Sequence, residues 1–181
     1  MVSQSFLENQ NIYLRPLVEA DLPRWTSWFN NSKTTLYMNK GYFPTLEDGQ
    51  LKRLESLNFD KNNIQLAIVT KEDDELIGII GMHKIDWVHR HADISIVIGN
   101  INEIGKGFGS QAIEIIVRHA FLKLNLRKLT SGMWANNKAS EKIFLANGFK
   151  KEGQKRQQFF FQNEYVDELN FGLLKDDWEK S

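Results

Sequence analysis

Ile104-Gly105-Lys106-Gly107-Phe108-Gly109-Ser110 constrains the fold more than any other stretch of this chain. On its N-terminal side, Ala92 to Ile98 alternates in the manner of a strand, with Ile94, Ile96 and Ile98 on one face and Asp93, Ser95 and Val97 on the other. On its C-terminal side, Phe108 to Leu124 carries the period of an amphipathic helix. Glycines at such a junction let the backbone turn sharply and leave amide N–H groups pointing outward. The positive end of the helix dipole adds to them. Together they suit a phosphate or pyrophosphate.

Three anion-binding patterns compete for this loop. A Walker loop needs G-x-x-x-x-G-K-[ST], a spacing the chain lacks. A Rossmann loop needs G-x-G-x-x-G in an early βαβ unit. Here the spacing is G-x-G-x-G and a hairpin-rich half precedes it, which counts against a nucleotide-dependent oxidoreductase. The third is the acyl-CoA loop, Q/R-x-x-G-x-G/A. A glycine-rich turn that binds nothing is the plain alternative.

The rest of the chain reads as one continuous domain over residues 1–181, without repeats, low-complexity stretches or a linker. Ile12 to Arg15 alternates as a strand and Pro16 ends it. Glu19 to Asn31 carries Leu22, Trp25, Trp28 and Phe29 at helical spacing. Thr45 and Asp48 form a candidate capping pair for a second helix through Leu57. Strands at Ile64–Thr70 and Leu76–Asp86 flank the polar turn Lys71–Glu75 and read as a hairpin. Trp87 to His91 is the turn before the Ala92 strand. Beyond the long helix come a strand at Leu129–Ala135 and a short helix at Lys138–Asn147, stopped by Asn147-Gly148. Two strands close the chain, near Gln157–Phe161 and Tyr165–Leu174. The order β-α-α-β-β-β-α-β-α-β-β predicts an α/β fold with a mixed, mostly antiparallel sheet.

Composition removes several chemistries. The 181 residues contain no cysteine, so disulfides, thiolate metal sites and an acyl-enzyme on cysteine are all excluded. Twenty-three Lys+Arg balance 23 Asp+Glu, and this zero net charge gives no footprint for nucleic acid. His83, His89, His91 and His119 lack metal-site spacing, so no metal is expected. Met1 to Gln10 is polar, and no apolar run reaches the ~20 residues of a membrane span, so a soluble, cytoplasmic protein is expected.

A second element joins the loop. Asn137-Lys138-Ala139-Ser140 opens the short helix, Asn147-Gly148-Phe149 ends it, and Lys151-Glu152-Gly153 follows. With these the chain resembles the GNAT superfamily of N-acetyltransferases, whose second motif reads roughly N-x-x-[AS]…[YF]-x-x-x-G-F…E-G. The resemblance runs nearly the whole length, from Ile12-Tyr13-Leu14-Arg15-Pro16-Leu17 to Tyr165-Val166-Asp167 and Trp178. It is nearest to the branch of ribosomal-protein N-terminal and spermidine acetyltransferases. It implies a splayed sheet, acetyl-CoA as co-substrate, and an amine acceptor: a peptide N-terminus, a polyamine or an amino sugar. It also implies that backbone at Ile96, Val97 and Ile98 takes the pantetheine arm, that residues 104–110 hold the pyrophosphate, that Asn137 touches the pantetheine or its cysteamine end, and that Lys138 and Phe144 also bind the cofactor. Relatives often form dimers, so a homodimer is an open expectation. A non-catalytic acyl-CoA-binding sensor of the same fold is the competing function.

Two positions depart from the family pattern. Ile104 stands where the loop usually opens with Gln or Arg, which removes one side chain from a site built mainly of backbone N–H. Phe144 stands where many relatives carry the Tyr that protonates the departing thiolate, and it has no proton to give. Ser140 is the substitute donor, with helix capping as its ordinary alternative. Solvent also suffices, because a thiol pKa near ~8.5 makes thiolate a tolerable leaving group.

The acceptor must shed a proton, since an alkylamine has a pKa near ~10.4. His83, Asp86, Asp93 and Glu103 are the candidate bases, with Asp93 first because it shares the polar face of the strand beside the thioester. The oxyanion falls to a backbone N–H near Val97 or Ile98. Trp28, Tyr37, His83 and Asp86 are the candidate acceptor-binding residues. Trp25, Trp28 and Phe29 read equally as core. Glu47, Asp48, Asp86 and Asp93 would supply the acidic pocket a polyamine needs.

Overall fold

The computed structural model describes residues 4–57 and 59–180. Of the polar stretch Met1 to Gln10, the first three residues therefore lie outside the described residues. The elements are β1 (Leu7–Glu8), β2 (Ile12–Pro16), α1 (Leu22–Phe29), α2 (Glu47–Leu57), β3 (Ile64–Thr70), β4 (Leu76–Asp86), β5 (His91–Ile98), α3 (Phe108–Leu122), β6 (Lys128–Trp134), α4 (Lys138–Ala146), β7 (Lys150–Phe161), β8 (Glu164–Leu174) and α5 (Lys175–Trp178). The expected order is present, with a short strand added at the front and a single helical turn at the end.

One sheet runs in the order β1-β2-β3-β4-β5-β6-β8-β7. All neighbours are antiparallel except β5 and β6. A parallel pair needs a long crossover, and α3 supplies it. That pair spans only His91–Asp93 against Lys128–Thr130. Beyond it β5 stays with β4 as far as Ile98, while β6 stays with β8 as far as Trp134. The sheet therefore splits open at its centre.

Alternation along the strands makes two cores on opposite faces. Leu66, Ile68, Ile80, Met82 and Ile94 pack with Ile113, Ile116 and Phe121 of α3 and with Phe144 of α4. Ala67, Val69, Leu76 and Ile79 pack instead with Trp25, Trp28 and Phe29 of α1 and Leu54 of α2. Helices α3 and α4 thus cover one face and α1 and α2 the other.

Three boundaries differ from expectation. The Glu19 helix starts as a 3₁₀ turn, Glu19–Asp21, and α1 begins at Leu22. Asp21 spends its carboxylate on the Val18 N–H and on a bidentate pair with Arg15 at 2.7 and 2.8 Å, and Pro23 has no N–H for an α ladder. Helix α2 starts at Glu47, and Thr45 is tied through its backbone to the Asn30 side chain rather than capping. Strand β7 begins at Lys150, seven residues before the expected Gln157. Its first half is almost wholly polar, as an exposed edge strand tolerates and as sequence periodicity does not register.

Candidate active site

The split between β5 and β6 opens into a cleft of about 540 Å³. Ile96, Asn137, Ser140 and Phe144 line it toward α3 and α4. Lys40, Gln50, Arg53, Gln65, His83 and Ser95 line it toward α1 and α2, and Trp134, Phe159 and Glu168 line its far wall. From Ile94 onward the edge of β5 has no strand partner on the cleft side.

The glycine-rich loop sits at the N-terminus of α3. Gly105 and Gly107 both have φ of +87°, in the left-handed region that glycine adopts without strain. The first amide of this run to find a backbone acceptor is that of Gln111, bonded to the Gly107 carbonyl at 3.2 Å. The amides of residues 105–110 have no protein acceptor among the described residues. A side chain at Gly109 would stand 3.6 Å from Ile143 of α4 and 3.8 Å from Ile96 and Ile98, so the loop abuts the cleft wall. The Ser110 hydroxyl accepts from Asn147 at 2.9 Å, and Lys106 pairs with Glu103 at 2.9 Å. Ile104 is 58% exposed. What the loop presents is mainly a row of backbone N–H groups, since Ile104 has no polar side chain and the Lys106 ammonium is paired with Glu103.

Asn137, not Ser140, caps α4: its Oδ1 accepts the Ser140 N–H at 3.1 Å. Ser140 lines the cleft, and its hydroxyl makes no hydrogen bond among the described residues. Lys138 turns away to Glu141, 2.8 Å distant. Phe144 is 1% exposed and meets Phe149 edge-on at 5.0 Å, so the ring in the usual Tyr position is a core ring that forms part of the cleft wall.

On the opposite wall, His83 Nε2 lies 2.7 Å from Ser95 Oγ, and its Nδ1 lies 3.3 Å from Asn63 Oδ1. An amide oxygen only accepts, so Nδ1 carries the proton and Nε2 accepts from the Ser95 hydroxyl. Burial first, then the Arg53 charge, hold the His83 pKa below the ordinary histidine value. The imidazole is therefore neutral at pH 7 and free to take a proton. Gly81 makes room for it, since a Cβ there would stand 2.9 Å from Nε2.

Several expected residues stand elsewhere. Asp93 is the register partner of His83, but it lies in the closed part of the β5–β6 pair and does not line the cleft. Its carboxylate accepts from Thr130 and faces Lys84 at 3.5 Å. Asp86 holds the 87–90 turn instead of facing the cleft. It accepts the N–H groups of Val88 and His89 and meets His89 Nδ1 at 2.9 Å, which lowers its pKa to about 2. Trp28 is buried and pressed against Gly99, where any Cβ would overlap its ring, and it does not line the cleft; Trp25 and Phe29, buried in the same core cluster, form the cleft wall in its place. Tyr37 does line it, stacked on Phe161 at 5.6 Å and edge-on to Trp134 at 6.3 Å. Trp134 in turn stacks on Phe159 at 4.6 Å. Lys40, Gln50, Arg53, Trp134 and Glu168 were not singled out as site residues in the sequence, and Phe159 read only as part of the apolar run Phe159–Phe161: Lys40, Gln50 and Arg53 sit on polar segments, and nothing local marks which strand side chains face the split. Among the described residues, no helix is long and apolar enough to cross a membrane.

A sheet split beside a helix N-terminus with unpaired amides is the architecture of acetyl-CoA-dependent N-acetyltransferases. The acetyltransferase (GNAT) domain model matches residues 11–150, and the chain belongs to that family. It is 31% identical over 160 residues to the uncharacterized N-acetyltransferase YoaA of Bacillus subtilis, covering 87% of this chain and 89% of that one. It is 25% identical over 167 residues to the spermidine N(1)-acetyltransferase of Vibrio cholerae, covering 92% and 95%. Its fold matches the crystal structure of spermidine N-acetyltransferase from Vibrio cholerae in complex with CoA and spermine, with a TM-score of 0.86 at 24% identity over 94% of this chain and 99% of that one. The chain is thus an N-acetyltransferase with acetyl-CoA as co-substrate, and its reaction is acetyl transfer to an amine.

Proposed function

We propose that the chain transfers the acetyl group directly to a primary amine held on the α1–α2 side of the split, while acetyl-CoA enters from the α3–α4 side. The observation that carries this reading is the split itself: an unpaired β5 edge and free amides on one side, and a neutral imidazole bonded to a hydroxyl on the other. Amides 105–110 hold the pyrophosphate, with the α3 dipole behind them. The β5 edge at Ile96–Ile98 takes the pantetheine amides as an added strand would, and Asn137 stands at the cysteamine end.

In this reading His83, rather than Asp93, is the base. The acceptor ammonium gives one proton to Ser95 Oγ, which passes its own to His83 Nε2. The neutral amine attacks the thioester carbonyl and forms the C–N bond. An amide N–H at Val97 or Ile98 holds the developing oxyanion. The C–S bond then breaks, the Ser140 hydroxyl donates a hydrogen bond to the sulfur, and the second amine proton leaves with the thiolate as free thiol. No protein nucleophile is needed, in a chain without cysteine.

The same reading takes residues 1–181 as one catalytic unit working in the cytoplasm, where the acyl donor is made. It includes a homodimer, supported by exposed Phe160 on the edge strand β7 and exposed Tyr165 on its neighbour β8. The test is thiol release from acetyl-CoA against short peptides with free N-termini, amino sugars and spermidine, with a CoA titration on the same sample. Release above the hydrolysis blank with one amine class supports transfer. Stoichiometric CoA binding without release for any amine would instead favour a sensor whose chemistry Phe144 has disarmed.

A further inference from the structure

The acceptor wall of the cleft has a charge of its own. Lys40 and Arg53 line it, and neither has a carboxylate within 4.0 Å among the described residues. The Lys40 ammonium lies 5.0 Å above the Phe29 ring, and burial, then Arg53, lower its pKa. Glu168 is the single acidic residue among those that line the cleft, and Lys155 already pairs with it at 2.8 Å. The acidic pocket that a polyamine needs is not assembled. Asp86 and Asp93 lie outside the cleft, and Glu47 and Asp48 are exposed on the first turn of α2. Two amides on the same wall are left incomplete. Gln50 is 5% exposed with an unpaired Nε2, and Gln65 has an unpaired Oε1. Buried polar atoms without partners are rare in native folds and point to a missing ligand or water.

We infer that the acceptor amine carries an anionic group, a carboxylate or a phosphate, which Lys40 and Arg53 bind while the amine faces His83 and Ser95. This rests on the proposed acetyl transfer and names the substrate class of that same site. Two cations without an ion pair within 4.0 Å among the described residues disfavour a polyamine and attract a zwitterionic amine, although the Asp60 carboxylate feels the Arg53 charge, and an Arg fork matches either anion. The Gln50 and Gln65 amides, close by, would complete the polar contacts once a ligand fills the wall.

The experiment uses matched acceptors that differ only in the anion. Phosphoethanolamine is set against ethanolamine, and a peptide opening with two acidic residues against its bis-amide counterpart, with spermidine as the cationic arm. Calorimetry on the CoA-loaded protein reads binding even where turnover is slow, and thiol release reads kcat and KM. The anionic member of at least one pair should bind about ten-fold or more tighter than its neutral twin. The pair that responds distinguishes phosphate from carboxylate. Arg53→Gln and Lys40→Met should each remove that preference, read by calorimetry as the loss of the affinity difference within the responding pair and by thiol release as a raised KM for its anionic member, while CoA affinity is unchanged. Equal binding within both pairs, no binding of either anionic acceptor, or spermidine as the tightest ligand overturns the inference while leaving the transferase intact. Failure of the protein to bind CoA sinks the transferase reading itself, and the two failures are thus separable.

Discussion

His83→Gln tests the proton path most sharply, because its effect should depend on pH in a calculable way. With an amine pKa near ~10.4, only about one acceptor molecule in 2,500 is neutral at pH 7. The wild-type enzyme escapes that limit if His83 Nε2, 2.7 Å from Ser95, removes the proton from the bound ammonium. Its kcat/KM should then rise only through the His83 pKa, which burial and Arg53 hold below the ordinary 6.5, and stay flat from there to about pH 10. The variant must wait for neutral amine, so its kcat/KM should climb ten-fold per pH unit over the same range. At pH 7 the loss should be about 10²–10³-fold, within the usual range for a general base, and it should shrink to little by pH 10. Ser95→Ala should show the same slope. The assay is thiol release at saturating acetyl-CoA from pH 6 to 10. A variant profile parallel to the wild type would place the base elsewhere. Stability carries the same sign: the fold keeps His83 neutral, so the unfolded chain binds more protons below pH 6.5, and stability falls as pH drops from there through the lowered pKa. The variant should lose that part of the acid sensitivity.

Asn137→Ala and Ser140→Ala should separate capping from chemistry. The first removes the α4 cap and should cost about 0.5–2 kcal/mol in thermal or urea unfolding. The second removes an unbonded hydroxyl and should leave stability within about 0.5 kcal/mol while lowering kcat, and equal stability losses would contradict this division. At Gly107 an added Cβ meets nothing closer than the Gln111 side-chain amide at 3.9 Å, but φ of +87° strains any side chain by about 1–2 kcal/mol and, in Gly107→Trp, an indole there should obstruct the free amides. CoA affinity should fall at least about ten-fold, and an unchanged Kd refutes the loop assignment. Gly81→Ala places a methyl 2.8 Å from the Ile64 carbonyl and 2.9 Å from His83 Nε2, so it should cost about 1–3 kcal/mol in urea unfolding and lower kcat together; full activity would remove His83 from the mechanism.

Much of the fold was legible because period and punctuation agreed. Ile64–Thr70 and Leu76–Asp86 begin and end where alternation and the charged turn place them. Gly148, at φ of +82°, ends α4 as the Asn-Gly pair implies. The site was harder, because its position depends on where two strands part. Alternation puts Asp93, Ser95 and Val97 on one face, but only the three-residue length of the β5–β6 pairing leaves Asp93 in the closed part and Ser95 in the open. The choice between Asp93 and its register partner His83 lies outside any local pattern. Helical spacing likewise groups Trp25, Trp28 and Phe29, all three of them buried, and it takes the contact with Gly99 to show that Trp28 packs away from the cleft while the other two form its wall. Lys40 and Arg53 come from a loop and a mostly polar helix, where a binding residue and a solvated one look alike.

Direct transfer across the split requires both substrates to be bound before any bond breaks. Initial rates with acetyl-CoA and an accepted amine varied together test this most directly. Double-reciprocal lines that intersect, with no thiol released before the amine is added, are the result expected of a ternary complex. Parallel lines with a burst of thiol in the absence of amine would reveal an acyl-enzyme and contradict the account.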